Sequence, residues 1–345
     1  MAASLAPDSL ARENLYSEQP RKGKVRVLAV IPAGRGVMYA TRQVSSLIDI
    51  GVDVRSFRLL SRTSPVVLLR EYKRLRQEIH EFRPHLLHAH YGTMTSFLCA
   101  ISNTVPLVIT FRGSDLNGDP DASFVRSNLG KLLSQISSLR AQAIVCVSPR
   151  LRDRLWWRSQ QARVLPDGVN LVLFRPEPKE RVRARLGWDQ EASTVIFNGV
   201  QRPRAKGAQF VRHAVQLAEQ AVGPIRLIML DGSVLPELIP SYLNAADCLA
   251  LASLREGSPN VVKESLACNL PVVATDVGDV AERLEQVRPS RVVTRDVSEF
   301  AKALADVLVE KHRSNGREGI AQYSEMRIAA SIRSLYEELV PSYAK

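Results

Sequence analysis

The sequence predicts an α/β protein made of two Rossmann-like, doubly wound domains that face each other across a cleft. Short runs of aliphatic residues alternate with longer amphipathic segments, a pattern typical of parallel sheets covered by helices. The alternation breaks near residues 165–180, where prolines, Gly168 and Asn170 favour turns, and then starts again. The 345 residues are enough for two domains of common size.

The first half of the chain contains the elements of one such unit. Its first strand is the apolar run 24–32, followed by a glycine-containing turn and an amphipathic helix over 37–50. Apolar or β-branched runs then predict four more strands, at 52–57, 85–90, 106–111 and 143–147, and the segment 112–122 is a polar loop. Helices are predicted over 68–82 and 95–102, between the polar loop and the strand 143–147, and after that strand.

The second half repeats the pattern after the turn-rich break. Buried strands are predicted over 194–198, 225–230, 246–252 and 271–274, and helices over 207–222, 235–245 and 261–267. We therefore expect domains at 24–170 and 171–345. Residues 1–23 are polar and lack the apolar stretch of a secretory signal, so we expect a flexible leader there.

Composition limits the kinds of partner. The net charge of +12 is compatible with nucleic acid, an anionic membrane or a phosphorylated substrate. No aromatic motif is interleaved with the basic residues, which argues against nucleic acid. The segment 68–79 is a basic amphipathic helix, either packed in the core with a solvated basic face or in contact with a membrane.

The cysteines and the hydropathy pattern point to a cytoplasmic protein. The four cysteines lie among apolar neighbours without metal or redox spacing, so we expect core thiols in a reducing compartment. No apolar run reaches the roughly 18 residues that span a bilayer. A peripheral place at the inner face of the membrane is compatible with both observations.

The most informative stretch is Glu256-Gly-Ser-Pro-Asn-Val-Val-Lys-Glu264. We expect Ser258 to cap a helix, Pro259 to lie in its first turn and Asn269 to end it. Glu256 then precedes the helix, and Glu264 lies roughly 7–8 Å along its axis. The free N–H groups of Ser258, Asn260 and Val261 and the helix dipole would favour a diphosphate between the two carboxylates, which would hold sugar and ribose hydroxyls. These groups outline a nucleotide-sugar site.

This stretch and its flanks resemble the family 4 glycosyltransferases, which are retaining enzymes of the GT-B fold. Further landmarks occur in the family's order. They are His88-Ala-His-Tyr-Gly92, Thr110-Phe-Arg-Gly-Ser-Asp-Leu116, Val145-Cys-Val-Ser148, Val164-Leu-Pro-Asp-Gly-Val-Asn170 and Ala267-Cys-Asn-Leu-Pro-Val-Val-Ala-Thr-Asp-Val-Gly-Asp279. The resemblance implies that Glu256 contacts the donor sugar and Glu264 the ribose. It also implies an N-terminal acceptor domain, a C-terminal donor domain, and a last helix, 326–339, that crosses back to the first domain.

Other donor-binding residues follow from the same resemblance. Lys206 matches the lysine that neutralises the diphosphate, while the arginine of the family is displaced, so Arg202 or Arg204 must supply its charge. Gly36 lies in a turn resembling the glycine turn that approaches the donor phosphate or acceptor. Asp231 follows a strand and is expected near the nucleotide base.

One catalytic position departs from the family pattern. Many members have a histidine where this chain has Arg112, which can hydrogen-bond a sugar or phosphate but cannot act as a base near neutral pH. His90 is a candidate neighbour, and His88 shares its face of the strand. Either histidine could equally be a buried, hydrogen-bonded core residue. Asp119 and Asp121 flank Pro120 in a segment whose composition is typical of a turn. We expect no metal or other cofactor.

The sequence thus predicts a retaining transferase that moves a hexose from a nucleoside-diphosphate sugar to a hydroxyl acceptor, a polysaccharide or lipid-linked glycan precursor. The alternative is a sugar-nucleotide or anionic-glycan binding protein with impaired catalysis, which Arg112 and the displaced arginine motivate. Base, sugar, acceptor and oligomeric state do not follow from the sequence.

Overall fold

The computed structural model describes residues 24–34, 37–60, 64–102, 105–199 and 203–340. Within them the chain forms two parallel sheets, one in each half, with apolar clusters on both faces of each sheet. The two-domain α/β prediction is therefore confirmed.

The first sheet has the strand order β2-β1-β3-β4-β5-β6, with every neighbouring pair parallel. Its strands are β1 (Arg26–Pro32), β2 (Asp53–Leu59), β3 (Leu86–His90), β4 (Leu107–Phe111), β5 (Ala143–Cys146) and β6 (Arg163–Val164). The accompanying helices are α1 (Met38–Asp49), α2 (Pro65–Phe82), α3 (Thr93–Ser102), α4 (Ser114–Asn117), α5 (Phe124–Arg140) and α6 (Pro149–Arg152).

The second sheet has the order β11-β10-β9-β7-β8, also parallel throughout. Its strands are β7 (Ser193–Asn198), β8 (Ile225–Leu230), β9 (Cys248–Leu251), β10 (Val272–Thr275) and β11 (Arg291–Val293). The helices are α7 (Lys179–Leu186), α8 (Pro203–Lys206), α9 (Ala208–Val222), α10 (Ile239–Ala245), α11 (Asn260–Ala267), α12 (Val280–Leu284), α13 (Val297–Glu310), α14 (Gly316–Ile320) and α15 (Glu325–Leu339).

Helix α15 returns from the second half to the first sheet. Ile328, Ile332, Leu335 and Tyr336 are buried in one cluster with strand residues such as Val27. The last helix of the described chain thus completes one face of the first sheet.

The basic helix α2 packs against the core along its apolar face. Leu75 and Ile79 are buried in the first core cluster, and Tyr72 packs against it, whereas Leu69 is exposed. The core-packing alternative therefore accounts for most of this helix's apolar side chains.

One local prediction is wrong: the segment 112–122 is not loop throughout, because α4 forms a helical turn within it. The Asp115 carboxylate accepts hydrogen bonds from the backbone N–H groups of Arg112 and Gly113, at 2.8–3.2 Å, and curls the chain after β4. Such a short turn has no periodicity that a sequence pattern could show.

None of the helices in the described residues is both long enough and apolar enough to cross a membrane.

Candidate functional site

Two loops, one at the carboxyl end of a central strand in each sheet, meet between the halves. Residues 112–118 follow β4, and residues 252–259 follow β9. Gly257 has no room for a side chain, since a Cβ there would overlap the carbonyl oxygen of Arg112. Open α/β sheets bind ligands at this edge, so this is where the candidate site lies.

Glu256 lies where these loops meet. Its Oε1 accepts hydrogen bonds from Lys206 Nζ at 2.5 Å and from Ser253 Oγ at 2.7 Å. On the other side, Asn117 Nδ2 donates to the Glu256 carbonyl oxygen at 3.2 Å. The structure thus brings together Glu256 and Lys206, two residues singled out from the sequence.

A cavity of about 170 Å³ opens beside this pair. Arg112, Gly113 and Asn117 line it from the first half, and Lys206 and Glu256 from the second. The predicted cleft therefore contains open space bordered by a carboxylate and cations.

The start of α11 differs from expectation at Ser258. Pro259, with φ −68° and ψ 113°, is the N-cap, and no side chain caps the helix. Ser258 Oγ instead donates to Asp279 Oδ2 at 2.8 Å and lies 3.1 Å from Lys263 Nζ. The cap prediction is wrong because the buried Asp279 and Lys263 offer Ser258 stronger, charge-assisted partners.

The first turn of α11 still presents one unused polar group. Asn260 Oδ1 is buried without a hydrogen-bond partner among the described residues. Val261 next to it is buried in an apolar cluster that packs against the second sheet. The N–H groups at the start of a helix and its dipole favour an anion there.

Glu264 lies one turn further along α11 and is bonded across the cleft. Arg42 Nη1 is 3.3 Å and the Tyr39 hydroxyl 3.5 Å from Glu264 Oε1. Burial raises the pKa of Glu264, and Arg42 works in the opposite direction. The carboxylate expected to hold ribose thus links α11 to α1.

Arg112 is enclosed by protein groups. Its Nε donates to Asp167 Oδ1 at 3.1 Å and its Nη2 to Gln43 Oε1 at 3.0 Å, while Nη1 lies 3.2 Å from His90 Nδ1. These contacts hold the guanidinium in place and leave it few donors for a ligand.

His90 and His88 share one face of β3, as the alternation predicts, with stacked rings 4.1 Å apart. Burial, then His88 and Arg112, lower the pKa of His90, so its ring is neutral. His90 Nε2 has no hydrogen-bond partner among the described residues. His88 lies 2.7 Å from Thr110 Oγ1 and 2.5 Å from the Tyr336 hydroxyl, so it is a hydrogen-bonded core residue.

The remaining predicted residues are scattered. Arg204 is exposed on α8, and the cavity lining includes its neighbours Ala205 and Lys206. Asp231 is exposed after the edge strand β8 and accepts from Ser233. Gly36 and Arg202 lie outside the described residues.

Sequence reasoning missed several charged residues that hold the site. Lys263 is fully buried and donates to the Asp167 carbonyl oxygen at 2.7 Å, which ties α11 to the first half. Burial lowers the pKa of Lys263 to about 8. Asp167 in turn pairs with Arg112. The landmarks containing Lys263 and Asp167 were visible, but nothing in their spacing indicates that they meet.

The described residues contain no group of three or more side chains able to hold a metal ion. Asp119 Oδ1 accepts a hydrogen bond from the backbone N–H of Asp121 at 3.1 Å, a contact typical of a turn.

Sequence comparisons connect the chain to known proteins. The model of a family described as Glycosyltransferase Family 4 matches residues 13–173, and that described as Glycosyl transferases group 1 matches residues 207–310. A putative teichuronic acid biosynthesis glycosyltransferase of Bacillus subtilis is 28% identical over 64% of this chain and 60% of its own length. A D-inositol 3-phosphate glycosyltransferase of Segniliparus rotundus is 31% identical over 47% of this chain and 43% of its own. The chain therefore matches only about half of these relatives' length.

Solved structures show the same fold at low sequence identity. Sucrose-phosphate synthase of Thermosynechococcus elongatus superposes with a TM-score of 0.75 and 17% identity, over 92% of this chain and 100% of that one. HepE of Anabaena, in complex with UDP and glucose, superposes with a TM-score of 0.71 and 16% sequence identity, over 91% of this chain and 100% of that one.

Proposed function

The chain belongs to the family 4 glycosyltransferases of the GT-B fold, and from this premise we propose that it transfers a hexose from a nucleoside-diphosphate sugar to a hydroxyl acceptor with retention at the anomeric carbon. The observation that carries the proposal is the pairing of Glu256 with Lys206 beside an interdomain cavity. A carboxylate and an ammonium side by side are suited to sugar hydroxyls and phosphate respectively.

The donor site would be built around the first turn of α11. The diphosphate would lie at its free N–H groups and take Lys206 as a counterion, with Arg202 or Arg204 as a second cation. Glu264 would release Arg42 or Tyr39 to accept the ribose hydroxyls. In this proposal Gly36 contacts the donor phosphate or the acceptor, and Asp231 contacts the nucleotide base. HepE binds UDP and glucose in the same fold, which supports a nucleotide-sugar donor.

Catalysis would rest mainly on electrostatic stabilisation of the leaving diphosphate. Lys206 offsets the charge that develops there as the glycosidic bond breaks, and the cleft excludes water that would hydrolyse the donor. The leaving phosphate accepts the proton of the attacking hydroxyl on the same face of the sugar. His90, neutral and with Nε2 free of described partners, can hydrogen-bond the donor sugar, and Arg112 fixes its ring. No metal takes part in this scheme.

The acceptor we propose is a polysaccharide or lipid-linked glycan precursor, at the inner face of the membrane. The related Bacillus subtilis protein is named for teichuronic acid biosynthesis, and the net charge of +12 favours an anionic acceptor or surface.

A second candidate function is binding of a sugar nucleotide or anionic glycan without turnover. The contacts of Arg112 with Asp167, Gln43 and His90 favour it, because they occupy most of the guanidinium's donors. In this alternative, the cavity recognises its ligand while the catalytic position is impaired.

A thermal-shift screen of uridine, guanosine and adenosine diphosphate sugars tests both candidates. A ligand that binds only the native protein raises the melting temperature, so the base and sugar that fit should stand out. Release of free nucleoside diphosphate from that donor would then support the transferase. Binding without release, across a broad panel of acceptors, would favour the second candidate, and no shift with any donor would contradict both.

A further inference from the structure

Helix α5 in the first domain has its apolar face on the outside. Val125, Leu129, Leu132, Ile136 and Leu139 follow one another at spacings of four, three, four and three, which places them on one side of the helix. With Phe124 at the start of the helix, these six side chains are 39–83% exposed. They form an apolar stripe about 21 Å long, called here the α5 stripe.

The opposite, polar face of α5 is buried and fully used. Ser134 Oγ accepts the N–H of Thr93 at 2.7 Å. Gln135 accepts from the Trp156 N–H and donates to the Arg154 carbonyl oxygen, at 3.0 and 2.9 Å. Rotating the helix to bury the stripe would break these bonds, so the orientation of α5 is fixed by the fold. A permanently exposed apolar stripe of this length indicates a docking surface.

The surroundings of the stripe are strongly basic. Helix α5 carries three basic residues, Arg126, Lys131 and Arg140, and no acidic one. The adjoining segment 149–158 carries four arginines and one aspartate, together with Trp156, which is 63% exposed. A second copy of α5 would bring like charges together, so charge complementarity points to an anionic occupant. Aliphatic residues flanked by arginines, lysine and an exposed tryptophan are typical of helices that lie in a membrane interface.

A second cavity, of about 490 Å³, lies between the α5 stripe and the candidate active site. Lys131, Arg154 and Trp156 line one side, and Arg255 and Glu256 the other. Two acidic side chains in its wall are already paired, Asp276 with Arg150 and Glu256 with Lys206. The side chains of Lys131 and Arg154 have no partner among the described residues, so the cavity has cationic groups available for an anion.

We propose that this face receives a phosphorylated membrane lipid, with the α5 stripe and Trp156 on the bilayer and the phosphorylated headgroup in the 490 Å³ cavity. The cavity reaches Glu256, so the headgroup would enter at the position of the acceptor. This deepens the proposed function and rests on it for the acceptor role. Helix α2 is less suited to the bilayer, because its apolar face is mostly buried and it carries the acidic residues Glu71, Glu78 and Glu81.

Flotation of the full chain with vesicles tests the proposal. We expect binding to vesicles of equal parts phosphatidylcholine and phosphatidic acid to be at least about tenfold tighter than to phosphatidylcholine alone, and weaker at high salt. If the protein binds neither kind of vesicle, the proposal is overturned.

The α5 stripe is tested by the triple variant Leu129→Gln, Leu132→Gln, Ile136→Gln. Glutamine keeps a high helix propensity, and exposed substitutions change stability little, so the melting temperature should stay near the parent's. We expect vesicle binding to weaken about tenfold or more. The matched control, Val66→Gln, Leu69→Gln, Val309→Gln, replaces exposed aliphatic residues on α2 and α13 and should bind like the parent. Equal binding by both triple variants would contradict docking through α5.

The cavity is tested by Lys131→Gln combined with Arg154→Gln. We expect this variant to bind phosphatidic acid vesicles less tightly than the parent, with part of the preference kept by the other basic residues around the stripe, and to bind phosphatidylcholine as the parent does. An unchanged preference would remove the cavity from the proposal.

Sedimentation velocity without vesicles tests whether a second copy of the chain occupies the α5 stripe instead. A dimer in the parent that dissociates only in the α5 variant would assign the stripe to self-association. The thermal shift by nucleoside diphosphates reports the donor site separately, so failure of either proposal can be distinguished.

Discussion

Arg112 is the side chain that organises the floor of the cleft in the first domain. Its guanidinium pairs with Asp167 at 3.0 Å, both side chains are less than 10% exposed, and it also contacts Gln43 and His90. A buried ion pair of this kind contributes little net stability, but loss of one partner leaves an uncompensated charge. Arg112 is therefore expected to matter for the shape of the site whether or not it touches the substrate.

Arg112→Lys tests this role, because an ammonium group cannot make the three separate contacts of a planar guanidinium. We expect the free energy of unfolding, measured by urea denaturation, to fall by about 1–3 kcal/mol, because the charge of Asp167 stays paired while Gln43 or His90 loses its buried hydrogen-bond partner. The control Arg181→Lys changes an exposed arginine on α7 and should cost under about 0.5 kcal/mol. Similar small losses in both variants would contradict the role given to Arg112.

Lys263 is the second residue whose burial has a measurable consequence. Its ammonium is held by the Asp167 carbonyl oxygen and Ser258 Oγ, and burial lowers its pKa to about 8 from the usual 10.5. Between these two pH values the unfolded chain binds more protons at this position than the folded chain does. The contribution of Lys263 to stability therefore rises with pH through this window and is lost as pH falls through about 8.

Lys263→Met removes this titration. We expect the unfolding free energy of the parent minus that of the variant to rise by up to about 3 kcal/mol from near pH 7 to near pH 10.5. Other titrating groups occur in both proteins and cancel in the difference, which urea denaturation at several pH values measures. A difference that does not vary with pH would mean that Lys263 titrates normally.

At the scale of elements, the close approach of the two loops depends on Gly257. A methyl group there would overlap the carbonyl oxygen of Arg112. Gly278 packs against Gly257 from the other side, so the loop after β9 cannot move away freely. The loop that presents Glu256 is therefore fixed by contacts on both sides.

Gly257→Ala should consequently destabilise the protein and disturb the cleft. We expect a loss of about 1–3 kcal/mol and a weaker thermal shift by the donor nucleotide. Gly319→Ala is the matched control, because a Cβ on this α14 residue meets nothing within 4 Å and alanine favours a helix. Gly257→Ala behaving like Gly319→Ala would show that the loops can separate without cost.

The strands and most helices could be predicted from the sequence because their apolar periodicity is local. The strand prediction 225–230 matches β8, and Asn269, with φ 55°, has the left-handed conformation expected after α11. The Ser258 cap and the loop at 112–122 were wrong because a partner elsewhere, Asp279, or a carboxylate within the loop, Asp115, decides the conformation. The outward orientation of the apolar face of α5 could not be predicted either, because periodicity does not show which side of a helix faces the core.

At the scale of the whole molecule, the two domains are joined across the cleft by polar contacts. Arg42 bonds Glu264, Arg255 donates to the Asn117 carbonyl oxygen at 2.7 Å, and Arg150 pairs with Asp276. These contacts are partly exposed and exchangeable, so a ligand in the cleft can replace them at modest cost. The sequence located Glu256 and Lys206, but their meeting at 2.5 Å follows only from the fold.

The measurement that bears most directly on the proposed function is release of nucleoside diphosphate from the best-binding sugar donor, by Glu256→Gln and by a control. The control, Glu318→Gln, changes an exposed glutamate on α14. We expect Glu256→Gln to remain folded and to lose at least about a hundredfold in turnover, since the amide cannot replace the carboxylate beside the reacting sugar. Glu318→Gln should turn over like the parent. Full turnover by folded Glu256→Gln would contradict the assignment of the cleft as a glycosyl-transfer site.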